Sequence, residues 1–124
     1  MKILLMVVML CSAGYAQNVT MDDYYDAAKE KCHDIGCVRQ EINRINIEIL
    51  KLLAERTAYV KRAGDLKGNK VARDEARIAQ QEKFLVEQSE KLRLPTEISL
   101  PAFRAIVESS TQYEQCYMDS VILK

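Results

Sequence analysis

Four cations, Arg39, Arg56, Lys67 and Arg77, lie along a stretch whose apolar residues recur at helical spacing. Arg56 and Lys67 are eleven residues apart, which at about 100° per residue falls within roughly 20° of three full turns. On one helix they share a face, roughly 16 Å apart at about 1.5 Å per residue. Two long side chains so placed can converge on a small anion, and a guanidinium meets a carboxylate with bidentate geometry. Arg39 lies seventeen residues before Arg56, about 100° around the same helix. It points elsewhere, and a neighbouring chain is one destination. Taken singly, Arg56 and Lys67 also fit a solvated helix face partnered by Glu48, Glu55 or Asp65.

The elements that must carry these residues are helical. Val38, Ile42, Ile45, Ile49, Leu52, Leu53 and Val60 recur at three- and four-residue steps, with no Gly or Pro before Gly64. A long helix from about Val38 to Lys67 is predicted, with Gly68-Asn69 as its stop signal. A second amphipathic segment runs from about Asp74 to Leu92, marked by Ile78, Leu85 and Leu92, and is broken at Leu94-Pro95-Thr96. The third carries Phe103, Ile106, Val107, Tyr113 and Tyr117 and ends near Val121. Pro101 falls in its first turn if Ser99 or Leu100 precedes the helix, since an early proline loses no intrahelical donor. The predicted fold is all-α: a three-helix subunit with one long N-terminal helix. Two shorter helices cannot cover both ends of the long apolar stripe, so oligomerisation is the natural remedy.

Residues 1–16 are set apart from this fold. Lys2 supplies a positive start, Ile3 to Leu10 an apolar run too short to span a bilayer, and Gly14-Tyr15-Ala16 a small-x-small cleavage site before Gln17. The pattern is that of a secretory signal peptide, and it predicts a periplasmic or secreted protein. Residues 17–37 are a polar N-terminal extension with one helical turn expected between Met21 and Lys31. The helical domain occupies residues 38–121. The chain has 18 basic and 18 acidic residues, and removal of Lys2 leaves a slight acidic excess. A nucleic-acid binder carries the opposite balance, and no second apolar run reaches the length of a membrane span. Export leaves Cys32, Cys37 and Cys116 in a compartment where disulfides persist. Cys32 can close a small loop with Cys37, or either can pair with Cys116. A metal site from Cys32, His33 and Cys37 would have only three ligands at irregular spacing.

The ordered set of residues is similar to the all-α class of chorismate mutases. Val38-Arg39-Gln40-Glu41-Ile42, then Ile45, Ile49 and Leu52-Leu53-Ala54-Glu55-Arg56, resembles that family's opening helix. Lys67, Arg73-Asp74-Glu75-Ala76-Arg77 and Phe103-Arg104-Ala105-Ile106-Val107-Glu108-Ser109-Ser110 fit the rest of its pattern, so the likeness covers about Val38 to Tyr117. The resemblance implies an intertwined helical homodimer in which each site takes one arginine from the partner chain, the position of Arg39. It also implies a cofactor-free intramolecular Claisen rearrangement of chorismate to prephenate, for which the enzyme need only hold the compact conformer and stabilise charge on the breaking ether oxygen. On this resemblance, Arg39 of the partner and Arg56 bind carboxylates, and Lys67 faces the ether oxygen and a carboxylate. Arg77 supports the anionic pocket, with Asp74 near the ring hydroxyl. Ser110 and Glu114 are the polar positions of the last helix, one turn apart; a register shift of one puts Gln115 in place of Glu114.

The chain departs from the family pattern at Ile78, where Glu often binds the substrate hydroxyl; Gln81, one turn beyond Arg77, can take that contact or simply be solvated. Ala58-Tyr59-Val60-Lys61 and Ile78 resemble instead the related isochorismate pyruvate lyases, and a non-catalytic helical dimer that binds a small dicarboxylate is a further alternative. Tyr59 and Tyr113 fit core or dimer-interface aromatics. His33, the single histidine, lies outside the matched region, which leaves no Ser-His-Asp or Cys-His set, and Gly64 and Gly68 form no phosphate cradle. A carboxylate facing the ether oxygen would repel the developing charge, so Glu114 must be protonated to donate a hydrogen bond, and burial favours that neutral form. Activity is therefore expected to fall as pH rises through the titration of Glu114, and Glu114→Gln to flatten the pH–rate profile; an unchanged profile removes this role.

Overall fold

The computed structural model describes residues 19–123, and the signal-peptide reading of residues 1–16 lies outside them. Its elements are four helices: α1 (Met21–Lys31), α2 (Ile35–Leu66), α3 (Glu75–Leu92) and α4 (Thr96–Ile122). Among the described residues there is no strand, and no helix is long and apolar enough to cross a membrane. The all-α expectation holds, with one helix more than predicted.

That extra helix is α1, eleven residues where a single turn was expected. Its start is fixed by a reciprocal capping box. Asp23 N–H donates to Thr20 Oγ1 at 3.4 Å, and Thr20 N–H donates to Asp23 Oδ2 at 2.8 Å. The Thr20 backbone N–H, followed by its hydroxyl, holds the Asp23 carboxyl below its ordinary range. At the other end Cys32 forms a disulfide with Cys37, which answers the open question of pairing. Cys116 is free and exposed. With both sulfurs in the bond, neither Cys32 nor Cys37 can serve as a metal ligand. Lys31 pairs with Glu41 at 2.8 Å and Arg93 with Asp22 at 3.3 Å, which ties α1 to α2 and to the α3–α4 corner.

Helix α2 begins three residues before the predicted Val38 because Asp34 caps it, accepting from Cys37 N–H at 2.8 Å. It ends as predicted, with Lys67 as the capping residue. Helix α3 is capped by Asp74, whose Oδ1 accepts from Arg77 N–H at 3.0 Å. It closes with Arg93 in the left-handed region (φ 53°), where Leu94 N–H donates to Ser89 O at 2.9 Å and Arg93 N–H to Glu90 O at 3.1 Å. This is the Schellman pairing, usually made with glycine.

Helix α4 corrects the prediction. It starts at Thr96, immediately after Pro95, so that Pro101 sits in the second turn and not the first. Two interactions draw the start forward. Pro95 O accepts from Ile98 and Ser99 N–H at 3.0 and 3.3 Å, and the buried Ser99 meets Ser89 of α3 in a hydroxyl pair at 2.7 Å. Pro101 has no N–H for the Glu97 carbonyl, but both residues are exposed and water can serve it.

Helix α4 packs against both α2 and α3. α4 comes close to α2 at Gly64, where an added Cβ would lie 3.2 Å from Met118 Cγ, 3.3 Å from Tyr117 Cδ1 and 3.4 Å from Glu114 Cγ. Tyr117 donates its hydroxyl to Asp65 just outside this crossing. That carboxylate, holding the proton in place, raises the Tyr117 phenol above its usual range. The first half of α2 has no such cover: Ile42, Ile49 and Leu52 are 51%, 47% and 65% exposed. Among the described residues only Ala72 and Met118 are buried apolar side chains. Gly64→Leu, which forces α2 and α4 apart, is expected to lower the unfolding free energy by about 2 kcal/mol, the scale of overpacking. Urea unfolding checks this, and wild-type stability would mean that the crossing tolerates more separation.

Candidate active site

The second half of α2, the start of α3 and the second half of α4 enclose a cavity of about 390 Å³. The three helices contribute by period. From α2 come Arg56, Val60, Ala63 and Lys67, each three or four residues after the last. Helix α3 supplies Arg77, Ile78 and Gln81 from its first two turns, with Asp74 at the cap. Helix α4 adds Val107, Ser110, Thr111 and Glu114.

Polar contacts inside the cavity cross between helices. Arg56 Nη1 donates to Ser110 Oγ at 2.6 Å, joining α2 to α4 and leaving the rest of the guanidinium for another acceptor. The Lys67 ammonium lies 2.8 Å from Glu114 Oε1 and donates to the Ala72 carbonyl at 2.6 Å. Glu114 is buried. Its Oε1 is close to Lys67 by distance but accepts no well-aligned hydrogen bond among the described residues. The pairing is an ion contact between two residues that line the cavity. Arg77 is exposed at the cavity edge, with no ion pair among the described residues, and its backbone is fixed by Asp74. Three cations against Asp74 and Glu114 make this an anion-receiving site.

Of the residues predicted from sequence, Arg56, Lys67, Asp74, Arg77, Gln81, Ser110 and Glu114 come together here. Arg39 does not. It lies on α2 about 25 Å along the axis from Arg56, does not line this chain's cavity, and makes no ion pair among the described residues. Gln115, the alternative to Glu114, does not line the cavity either. Its Oε1 accepts from Ala72 N–H at 2.9 Å, outside the wall. Tyr59 reaches the lining, where a core or interface role had been considered, while remaining 71% exposed. Tyr113 lies outside it.

Sequence reasoning missed Val60, Ala63, Val107 and Thr111 in the wall, although helical spacing from Arg56, Lys67, Ser110 and Glu114 reaches all four. It also missed the Ala72 carbonyl. No side-chain pattern signals that group, because its direction is set by a loop in which Lys70 adopts φ 58°.

The family model for chorismate mutase type II matches residues 38–115. The chain belongs to that family. Its members are isomerases that convert chorismate to prephenate, and this chain is an enzyme of that class. The matched span begins in the uncovered half of α2 and ends just past Glu114, so it contains every cavity-lining residue named above. Searches of curated proteins and of solved structures gave no match.

The Arg56–Ser110 contact yields a graded expectation for chorismate turnover. Arg56→Lys keeps the charge but loses the planar fork, and should lower kcat/KM by about 10- to 100-fold, the worth of a charge-assisted hydrogen bond. Ser110→Ala removes one neutral partner and should cost about fivefold. Steady-state kinetics that put Ser110→Ala below Arg56→Lys would reverse this ranking.

Proposed function

We propose that the chain is an exported chorismate mutase that works as a homodimer with shared sites. The observation that carries the activity is the convergence of Arg56, Lys67 and Arg77, from two helices, on one cavity whose far wall holds Ser110 and Glu114. Its volume, about 390 Å³, lies in the range of small-molecule sites and suits a compact cyclic dicarboxylate.

The reaction breaks the ether C–O bond as a C–C bond forms within the same molecule, with no proton transferred and no covalent intermediate. Arg56 and the partner's Arg39 hold the two carboxylates and thereby the folded conformer in which the reacting carbons meet. Lys67 and Glu114 face the ether oxygen, where negative charge accumulates. Lys67 donates to that oxygen, and Glu114 does so in its protonated form. Asp74 and Gln81 attend the ring hydroxyl, and Gln81 serves where Ile78 cannot. No cofactor has a role in these steps.

The shared-site dimer is supported by the exposed apolar residues along the first half of α2, the segment that also carries Arg39. Pairing that segment with a second chain buries its stripe and brings Arg39 to a cavity other than its own. Export is supported by the Cys32–Cys37 disulfide, a bond that persists in oxidising compartments, together with the leader-like residues 1–16.

A second reading rests on Ile78, whose apolar side chain lines the cavity where chorismate mutases often have Glu and in this resembles the isochorismate pyruvate lyases. Purified protein given chorismate and, separately, isochorismate distinguishes the two. Loss of chorismate without pyruvate is expected. Pyruvate from isochorismate alone would establish the lyase, and no turnover of either a binding module. Mixing inactive Arg39→Ala and Arg56→Ala chains is expected to restore activity by regenerating one intact site per mixed dimer. A solution mass of one mature chain with full activity would refute the shared site.

A further inference from the structure

Gln115 follows Glu114 in sequence but faces away from the cavity, against the loop that joins α2 to α3. All three arms of its carboxamide are engaged there. Oε1 accepts from Ala72 N–H at 2.9 Å, and Nε2 donates to Lys70 O at 3.1 Å and to Asp119 Oδ1 at 3.0 Å. Asp119, one turn further along α4, takes the second N–H of the same Nε2 and so helps to fix the orientation of the amide.

The loop has reason to need such a hold. Lys70 sits at φ 58° without being glycine, a conformation that persists only when its surroundings impose it. Ala72 is 4% exposed, so its N–H has Gln115 as its partner in place of water. The carbonyl of this same Ala72 accepts the Lys67 ammonium at 2.6 Å. Ala72 is thus gripped by Gln115 through its N–H and grips Lys67 through its carbonyl. Asp74, which caps α3 and so sets Arg77, lies two residues further on.

We propose that Gln115 is a positioning residue: its carboxamide clamps the α2–α3 loop so that the Ala72 carbonyl holds the Lys67 ammonium at the cavity beside Glu114. The kinetic consequence rests on the chorismate mutase reading, whereas the clamp itself does not. Lys67 is the capping residue of α2, and its long side chain has many rotamers. Without the clamp the carbonyl that selects one of them is free to move, and the ammonium is no longer preorganised for the ether oxygen.

The test uses the full mature protein. Gln115→Met is nearly isosteric and cannot hydrogen-bond, and Gln115→Ala removes the side chain. Ser99→Ala serves as the stability comparison: it breaks the buried Ser89–Ser99 pair about 22 Å along α4 from Glu114 and touches no part of the site. In both Gln115 variants kcat for chorismate is expected to fall by about tenfold or more with KM changed by less than about threefold, because Lys67 acts on charge that develops after binding. Ser99→Ala should keep kcat within about twofold despite its lower stability. Amide hydrogen exchange at Ala72 should be about tenfold faster in Gln115→Met than in Ser99→Ala, since only the former frees that N–H. A Gln115→Met enzyme with wild-type kcat, or a loss that Ser99→Ala matches, overturns the proposal. If the wild type turns over neither chorismate nor isochorismate, the functional reading fails by itself, and unchanged Ala72 protection in Gln115→Met then decides against the clamp.

Discussion

Gly64 lets α4 approach the end of α2 more closely than any side chain would, and the site is built on that crossing. Met118, Tyr117 and Glu114 stand around the missing Cβ. Lys67 follows three residues later, at the point where the chain leaves the helix. Glu114 can therefore be buried and still meet an ammonium from a helix terminus. A wider crossing would leave Glu114 in water and Lys67 without a partner across the gap, and the cavity would lose its polar wall.

The contacts made in the empty site leave the cations usable. Arg56 is held through a neutral hydroxyl, and Lys67 through a backbone carbonyl and a carboxylate. A side chain so held has already lost much of its rotamer freedom, which a substrate would otherwise have to offset. The surface pairs behave differently. Arg73 with Glu108 links the α2–α3 loop to α4, and Arg104 with Glu82 links α4 to α3, across exposed positions, where screening leaves ion pairs little net value. They hold the edge of the packing but carry no charge into the cavity.

Helix α2 serves two ends. Its second half is site wall, and its first half is an apolar stripe that nothing in the described chain covers apart from the strapped α1. Both halves follow one 3.6-residue period, so Arg39 and Arg56, on a single rigid rod, cannot both face one cavity of the same chain. The disulfide and the Asp34 cap fix where this rod begins but do not complete its packing.

Much of the site was legible in the sequence, because helix geometry converts spacing into direction. Eleven residues bring Lys67 under Arg56, and four bring Glu114 under Ser110, with no tertiary information. The lengths of α2 and α3 followed for the same reason, from apolar period and from stop signals. The full extent of α1 and the start of α4 were not legible. The first depends on a reciprocal cap with only two side chains, and the second on a buried serine pair between segments ten residues apart, which overrode the proline as a boundary. The choice between Glu114 and Gln115 also belonged to the tertiary structure. They are neighbours on one helix, about 100° apart, and the depth and angle of the crossing at Gly64 turn one to the cavity and the other to the loop. The sequence by itself determined which charges share a helical face, since that needs only local periodicity. Which of them meet, and what holds them there, was decided by the approach of separate helices, to which backbone groups such as the Ala72 carbonyl contribute without leaving any mark in residue type.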